Sequence, residues 1–235
     1  MEAHLTLDRL GLERNGRWLF RNISLTLPRG RFIAVVGPSG VGKSSLLGCL
    51  AGLIRPSEGA ATYRCVQGCD HAPVDFQTRI GIIFQNLLLA ENSSVLRNVL
   101  CGRLGRYPWW KTLFRFPPAD AQEAYAIIAD LGLAEYVHRR VGEISGGEQQ
   151  RVGVARALFQ GPEIVLADEP VSNLDVYLAG RVLGILRQHA HEQNRTVLCV
   201  LHDPRLVERF ADYALSINPG NPEDWRMREV ARTAA

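Results

Sequence analysis

The sequence predicts an α/β fold, and three of its features carry that prediction. Residues 32–36 (FIAVV) are uniformly apolar, as in a strand buried on both faces of a mostly parallel sheet. They run into a glycine-rich loop followed by a helical pattern. Residues 163–170 (EIVLADEP) and 196–202 (TVLCVLH) repeat the strand character on either side of a helix, which implies right-handed crossovers. Between these halves, residues 86–160 are mainly helical and read as an insertion into the core.

Taken in order, the first elements are short strands and turns: LTLD, WLFRNISLTL and RFIAVVG. Ile23, Leu25 and Leu27 alternate as in a half-buried strand. Residues 59–63 and 78–84 read as further strands. In the helical middle, Ala124, Ile127, Ile128 and Leu131 fall at i, i+3, i+4 and i+7 on one face. After Gly161-Pro162 the sheet pattern resumes, and a later helix carries Leu178, Val182, Ile185 and Leu186 on one side. One domain is expected, with residues 1–85 and 161–235 forming the α/β core and residues 86–160 a helical subdomain.

Composition narrows the function classes. The chain has 235 residues, 46% hydrophobic and 22% charged, enough for a sizeable core. Its net charge of +3 is spread along the chain, which argues against a nucleic-acid partner. The opening MEAHLTLDRLGL lacks the basic start and apolar run of a signal peptide. The longest apolar runs are too short to cross a bilayer, so any membrane connection is expected to come through a partner. Five cysteines and no secretion signal favour free thiols in a reducing cytoplasm. Cys65, Cys69 and His71 could ligate a metal, but no second close pair completes a set. Plain thiols in or beside a β-hairpin are the expectation there. Residues 105–118 (GRYPWWKTLFRFPP) crowd five aromatics between prolines and basic residues. They suit a stacking surface, a membrane-interface anchor, a docking patch or an inward-folded corner.

Gly37, Pro38, Ser39, Gly40, Val41, Gly42, Lys43 and Ser44 match the phosphate-loop pattern G-x-x-x-x-G-K-[ST] between a strand and a helix. The glycines free backbone N–H groups to wrap nucleotide phosphates, and Ser45 continues the loop into the helix. Lys43 adds a full charge at the β/γ oxygens, and the Ser44 hydroxyl suits Mg²⁺. Asp168, at the end of an apolar strand, suits a magnesium partner, usually through water. Glu169 is expected to point elsewhere in the pleat, placed to polarise an attacking water. The phosphate loop alone leaves kinase, GTPase, helicase and transporter open.

Residues 144–151 (ISGGEQQR) decide among them. A Ser-Gly-Gly turn opening a helix exposes N–H groups and a hydroxyl that can bind a γ-phosphate. With the phosphate loop before it and the DEP strand after it, this stretch resembles the signature motif of ATP-binding cassette (ABC) ATPases. The resemblance covers nearly the whole chain. It implies a phosphate-loop NTPase core of the ABC type with an N-terminal antiparallel β subdomain and an inserted helical subdomain. It implies further that Gln85 is the Q-loop glutamine, touching Mg²⁺, that residues 172–175 (SNLD) ending at Asp175 form the D-loop, and that His202 is the switch histidine contacting the γ-phosphate.

In that family, two cassettes close head-to-tail over ATP and Mg²⁺, and Ser145, Gly146, Gly147 and Glu148 of one subunit cap the nucleotide of the other. Glu148 stands where the family usually has Gln, which adds negative charge near that site. The adenine-stacking aromatic of the family falls near Arg14, leaving Arg14 or Trp18 to replace it. The C-terminal stretch from residue 214 lacks the usual glycine-turn hairpin.

The resemblance implies a catalytic set of Glu169, His202, Lys43 and Gln85, and the ATPase subunit of a membrane transporter. Its partners would be a second cassette, normally an identical copy, an integral-membrane permease and a periplasmic substrate-binding protein. Its place would be the cytoplasmic face of the inner membrane, held peripherally through the permease. Residues 95–118, GEQQRVGVARAL and LADEPVSNLD resemble the phosphonate-importer ATPases, which implies phosphonate or a related phosphorus oxyanion as cargo. Another importer, a lipoprotein- or macrolide-type exporter, or a non-transport cassette ATPase is the alternative. The aromatic segment would then lie where a permease docks, or fold inward.

Overall fold

Two sheets of different connectivity organise the computed structural model, which describes residues 3–63, 79–108 and 116–231. The smaller sheet is antiparallel, with β1 (Ala3–Arg14) between β2 (Arg17–Pro28) and β4 (Glu58–Tyr63). Asn15 and Gly16, both at positive φ (53° and 74°), close the β1–β2 hairpin as a two-residue turn whose twist matches the strands. The larger sheet runs β5 (Ile80–Ile83), β6 (Ile164–Ala167), β7 (Thr196–Val200), β3 (Arg31–Val36), β8 (Tyr213–Ile217) and β9 (Trp225–Glu229). Its first five strands are parallel, and β9 returns antiparallel to β8. The fold is the expected α/β core with an antiparallel β subdomain.

Strand alternation divides the interior into two cores. Ile33, Val35, Leu198 and Leu215 face helix α1 (Lys43–Leu50) and the buried Leu5, Leu7, Phe20 and Ile23 of the small sheet. Phe32, Ala34, Val197 and Cys199 face the other way, toward the helices. These are α2 (Val95–Leu100), α3 (Pro118–Asp130), α4 (Gly146–Phe159), α5 (Val176–Glu192) and α6 (Pro204–Phe210). On α3 the expected face holds: Ala124 and Ile128 are buried, with Ile127 partly so and Leu131 buried just beyond the helix. On α5, Val182 and Leu186 are buried, while Leu178 and Ile185 are half-buried.

The expected absence of a C-terminal hairpin is overturned. β8 and β9 pair over five residues, with Gly220 in the connecting turn. Asn218 and Asn221 tie that turn with side-chain oxygens that accept from the backbone N–H groups of Gly220 and Glu223. In β9 the signal is a weak alternation, with Trp225 and Met227 packed inward and Arg226 and Arg228 exposed.

In the helical subdomain, Arg103 is buried and donates to Asp120 Oδ1 at 2.9 Å, to both Glu123 oxygens and to the Phe159 carbonyl. The Tyr107 hydroxyl donates to Asp120 Oδ2 at 2.8 Å, and Phe116 packs on the helical core. Both described ends of the aromatic segment are therefore anchored inward. Its centre, with Trp109, Trp110, Lys111, Phe114 and Arg115, lies outside the described residues, as do Cys65, Cys69 and His71.

Two buried imidazoles tie the opposite end of the sheet. Thr196 Oγ1 donates to the Pro28 carbonyl, so His4 Nδ1–H donates to Thr196 at 2.7 Å. Burial and the Arg29 charge hold His4 neutral, with a pKa lowered to about 4. Burial likewise lowers His189 to about 4. A base whose folded pKa lies below its ordinary 6.5 binds fewer protons folded than unfolded. Its stabilisation is complete above pH 6.5 and is lost as pH falls toward 4. His189 alone should cost about 2 kcal/mol by pH 5. Urea titrations at pH 7.5 and 5 test this: His189→Gln should flatten the pH dependence, whereas an unchanged dependence would contradict the assignment.

Candidate active site

The phosphate loop leaves β3 and enters α1 through backbone that glycine alone adopts easily. Gly42 lies at φ 103°, and a Cβ there would stand 3.0 Å from Leu19 Cβ. Gly40, at φ 77°, has no atom within 4 Å of a built Cβ, so its backbone faces open space. Pro38, Ser39 and Gly40 are exposed, Val41 is buried, and Gly37 and Ser45 are half-buried. Lys43, the first residue of α1, is only 5% exposed. Its Nζ donates to the Gly37 and Pro38 carbonyls, each at 2.8 Å. Burial lowers its pKa, against the pull of Glu169 and Asp168. The cation thus bridges the two ends of the loop it serves.

Asp168 follows β6 directly, its N–H donating to the Ile83 carbonyl of β5. The Ser44 hydroxyl hydrogen-bonds its carboxylate, and burial raises its pKa. Its Oδ1 is buried without a hydrogen-bond partner among the described residues. A hydroxyl and a carboxylate with an unused buried oxygen form a hard oxygen donor set, which suits a divalent cation. Gln85 lies two residues beyond β5, at this same end of the sheet, with an exposed side chain.

Glu169 is aimed by its backbone, which corrects the expectation that the pleat directs it. β6 ends at Ala167, and Glu169 sits at φ 51°, a left-handed conformation unusual outside glycine. Its carbonyl accepts from Gln150 Nε2 at 2.9 Å and Ser172 Oγ at 3.2 Å, which fixes that conformation. The carboxylate turns to His202, whose Nε2 lies 2.7 Å from Oε1. His202 stands two residues past β7, and both side chains remain solvent-accessible.

Gln150 is the functional-site residue that sequence reasoning missed. It is 4% exposed, holds the Glu169 carbonyl, and accepts from the Asn173 N–H at 3.3 Å. One side chain therefore connects the Ser-Gly-Gly helix, the carboxylate turn and the loop at residues 172–175. The available signal was a glutamine on a helix face otherwise made of Val154 and Ala157.

Ser145 is the N-cap of α4, in a reciprocal box with Glu148. The Ser145 N–H donates to Glu148 Oε2 at 2.7 Å. Burial pushes the Glu148 carboxyl up, but hydrogen bonds from Ser145 and Tyr136 outweigh it and lower the pKa. Its charge is thus engaged within its own chain. Gly146 faces open space, and Gly147 lies against Leu174. Asp175 caps α5 by accepting from the Leu178 N–H at 2.9 Å. Among the described residues, no hydrogen bond or ion pair joins residues 145–147 to the phosphate loop. Arg14 is exposed at the β1–β2 turn, while Trp18 carries the Arg21 guanidinium 4.6 Å above its ring.

The pattern of a family described as ABC transporter matches residues 20–172. The chain is 40% identical to the phosphonates import ATP-binding protein PhnC of Nitratidesulfovibrio vulgaris, over 87% of this chain and 79% of that protein. It is 41% identical to the phosphite import ATP-binding protein PxtA of Stutzerimonas stutzeri, over 92% of this chain and 79% of that one. Among solved structures, a metal-chelate type ABC transporter in an inward-facing conformation superimposes with TM-score 0.81 at 29% identity, covering 97% and 84% of the two chains. A dimeric ATP-binding cassette with ADP and phosphate bound superimposes with TM-score 0.82 at 24% identity, covering 97% and 100%.

Proposed function

The chain belongs to the ABC transporter family, and from that premise we propose that it is the ATP-hydrolysing subunit of an importer for phosphonate or a related phosphorus oxyanion. The observation that carries the chemistry is Glu169 held against His202 at the strand end that carries Asp168. The backbone N–H groups of residues 37–45 and the Lys43 ammonium hold the β- and γ-phosphates. Glu169 accepts the proton of the water that attacks the γ-phosphorus, and ADP leaves as the β–γ bridge breaks. His202 orients Glu169 and donates to the γ-phosphate. Ser44, Asp168 and Gln85 would hold a magnesium ion, which supplies positive charge to the phosphate oxygens.

Each site is completed by a second copy, whose Ser145 hydroxyl and Gly146 and Gly147 N–H groups face the γ-phosphate. Because the phosphate bridges the copies, ATP favours the closed pair and hydrolysis releases it. Among the described residues no helix is long and apolar enough to cross a membrane. In this reading, which rests on the import ATP-binding relatives, the chain acts through a permease at the cytoplasmic face of the inner membrane, fed by a periplasmic binding protein. The cargo rests on the two relatives' import of phosphonates and phosphite.

Uptake by vesicles carrying this chain and its permease tests the cargo. ATP-dependent accumulation of a phosphonate or phosphite is expected. Accumulation of a different solute class, or ATP-dependent efflux, would overturn the assignment.

A further inference from the structure

The segment after β5 carries Gln85 but no regular structure of its own: residues 84–93 form neither helix nor strand. Among the described residues the exposed Gln85 side chain makes no hydrogen bond, so its place is set by its backbone neighbours. On one side stands β5. On the other is a clasp from α4, where Arg156 Nη2 donates to the Leu87 carbonyl at 2.6 Å and Nη1 to the Leu88 carbonyl at 2.8 Å. Arg156 has no carboxylate partner among the described residues, and burial lowers its pKa. Its guanidinium serves those two carbonyls.

The loop backbone is shaped to receive it. Leu88 lies at φ 49°, a left-handed conformation that outside glycine persists only where its surroundings hold it. That turn brings successive carbonyls, which point opposite ways in extended chain, to one side, where a planar fork can bridge them. Gly153, one turn before Arg156, lets the loop approach: a Cβ there would stand 3.0 Å from Leu87 Cδ2. Asn98 of α2 is 3% exposed and secures the far end, accepting from the Ala90 N–H at 2.8 Å and donating to its carbonyl at 3.1 Å. Gln150, Gly153 and Arg156 follow one another at three-residue steps on α4, so successive members share a side. One helix thus fixes the Glu169 turn through Gln150 and the Gln85 loop through Arg156.

Building on the reading that Gln85 helps to hold magnesium, we infer that Arg156 is a positioning residue for ATP hydrolysis. By clasping residues 87–88 to α4, it keeps Gln85 in register with Ser44, Asp168 and the Glu169 turn. Arginine suits this task and lysine does not, because a compact ammonium cannot present the rigid fork that two fixed carbonyls require.

Mn²⁺ titration followed by electron paramagnetic resonance, on the Glu169→Gln chain with one equivalent of ATP, reads the metal site without turnover. Gln85→Ala and Arg156→Ala should each weaken Mn²⁺ binding roughly tenfold, the loss typical of a displaced ligand or its support. ATP affinity without metal should stay at the parent value, and Arg156→Lys should fall between parent and Arg156→Ala. The double variant should lose no more than Gln85→Ala alone, since both changes act on one ligand, whereas a general loosening of the fold would add to it. Should Arg156→Ala not fold, Arg156→Lys, alone and with Gln85→Ala, supplies the same comparison. Parent-like Mn²⁺ affinity in the folded Arg156 variants, or an additive double variant, overturns the inference while leaving Gln85 its role. Parent-like affinity in Gln85→Ala overturns the magnesium reading of Gln85 and this inference with it.

Discussion

Replacing Glu169 by Gln lowers ATP turnover by about two to four orders of magnitude while ATP still binds, because a positioned general base contributes a factor of that size. The amide keeps the size of the carboxylate and an oxygen to face His202 Nε2, now 2.7 Å from Oε1. It cannot take a proton. The left-handed backbone at residue 169 is secured by Gln150 and Ser172 through the main-chain carbonyl, so the substitution leaves the turn intact. Phosphate release and equilibrium nucleotide binding, measured on the same preparation, separate chemistry from affinity. Hydrolysis at the parent rate would remove Glu169 from the role of base. Loss of ATP binding would place its contribution in the ground state instead.

Lys43→Ala weakens ATP binding by roughly a hundredfold, since a hydrogen bond to a charged group is worth about 1.5–3 kcal/mol. Two losses combine in that variant. The charge at the β/γ oxygens disappears, and the Gly37 and Pro38 carbonyls lose the ammonium that holds them at 2.8 Å. Lys43→Arg separates the two, because it keeps the charge but places a planar fork where a compact ammonium fits. Titration with a fluorescent ATP analogue is the check. Binding within a few-fold of the parent in Lys43→Ala would contradict the assignment of Lys43 as a phosphate anchor.

The legible parts of the sequence are those where one local pattern permits one geometry. A glycine-lysine-serine loop between an apolar strand and a helix has few alternatives, and Gly37–Lys43 form that loop. The parallel strands were readable because burial on both faces makes them continuously apolar. The hairpin of β8 and β9 was not, because β9 lies at a sheet edge and three of its five residues are charged.

The aim of Glu169 was misread for a related reason. A pleat argument holds only inside a strand, and β6 stops two residues short of Glu169. What turns it is a positive φ stabilised by side chains 19 residues upstream and 3 residues downstream, Gln150 and Ser172. Long-range polar contacts of that kind leave almost no trace in periodicity. Glu148, expected to add negative charge near the second copy's nucleotide, is instead engaged by the Ser145 cap three residues before it and by Tyr136.

On the proposed mechanism, this chain completes its ATP site with a second copy of itself. Sedimentation velocity of the Glu169→Gln chain, with and without Mg²⁺ and ATP, tests it most directly. The chain is expected to be a monomer without nucleotide and a dimer with ATP, reversed by Ser145→Arg, which places a long cation on the exposed N-cap of α4. A chain that remains monomeric at saturating ATP, or a dimer indifferent to both ATP and Ser145, would contradict it.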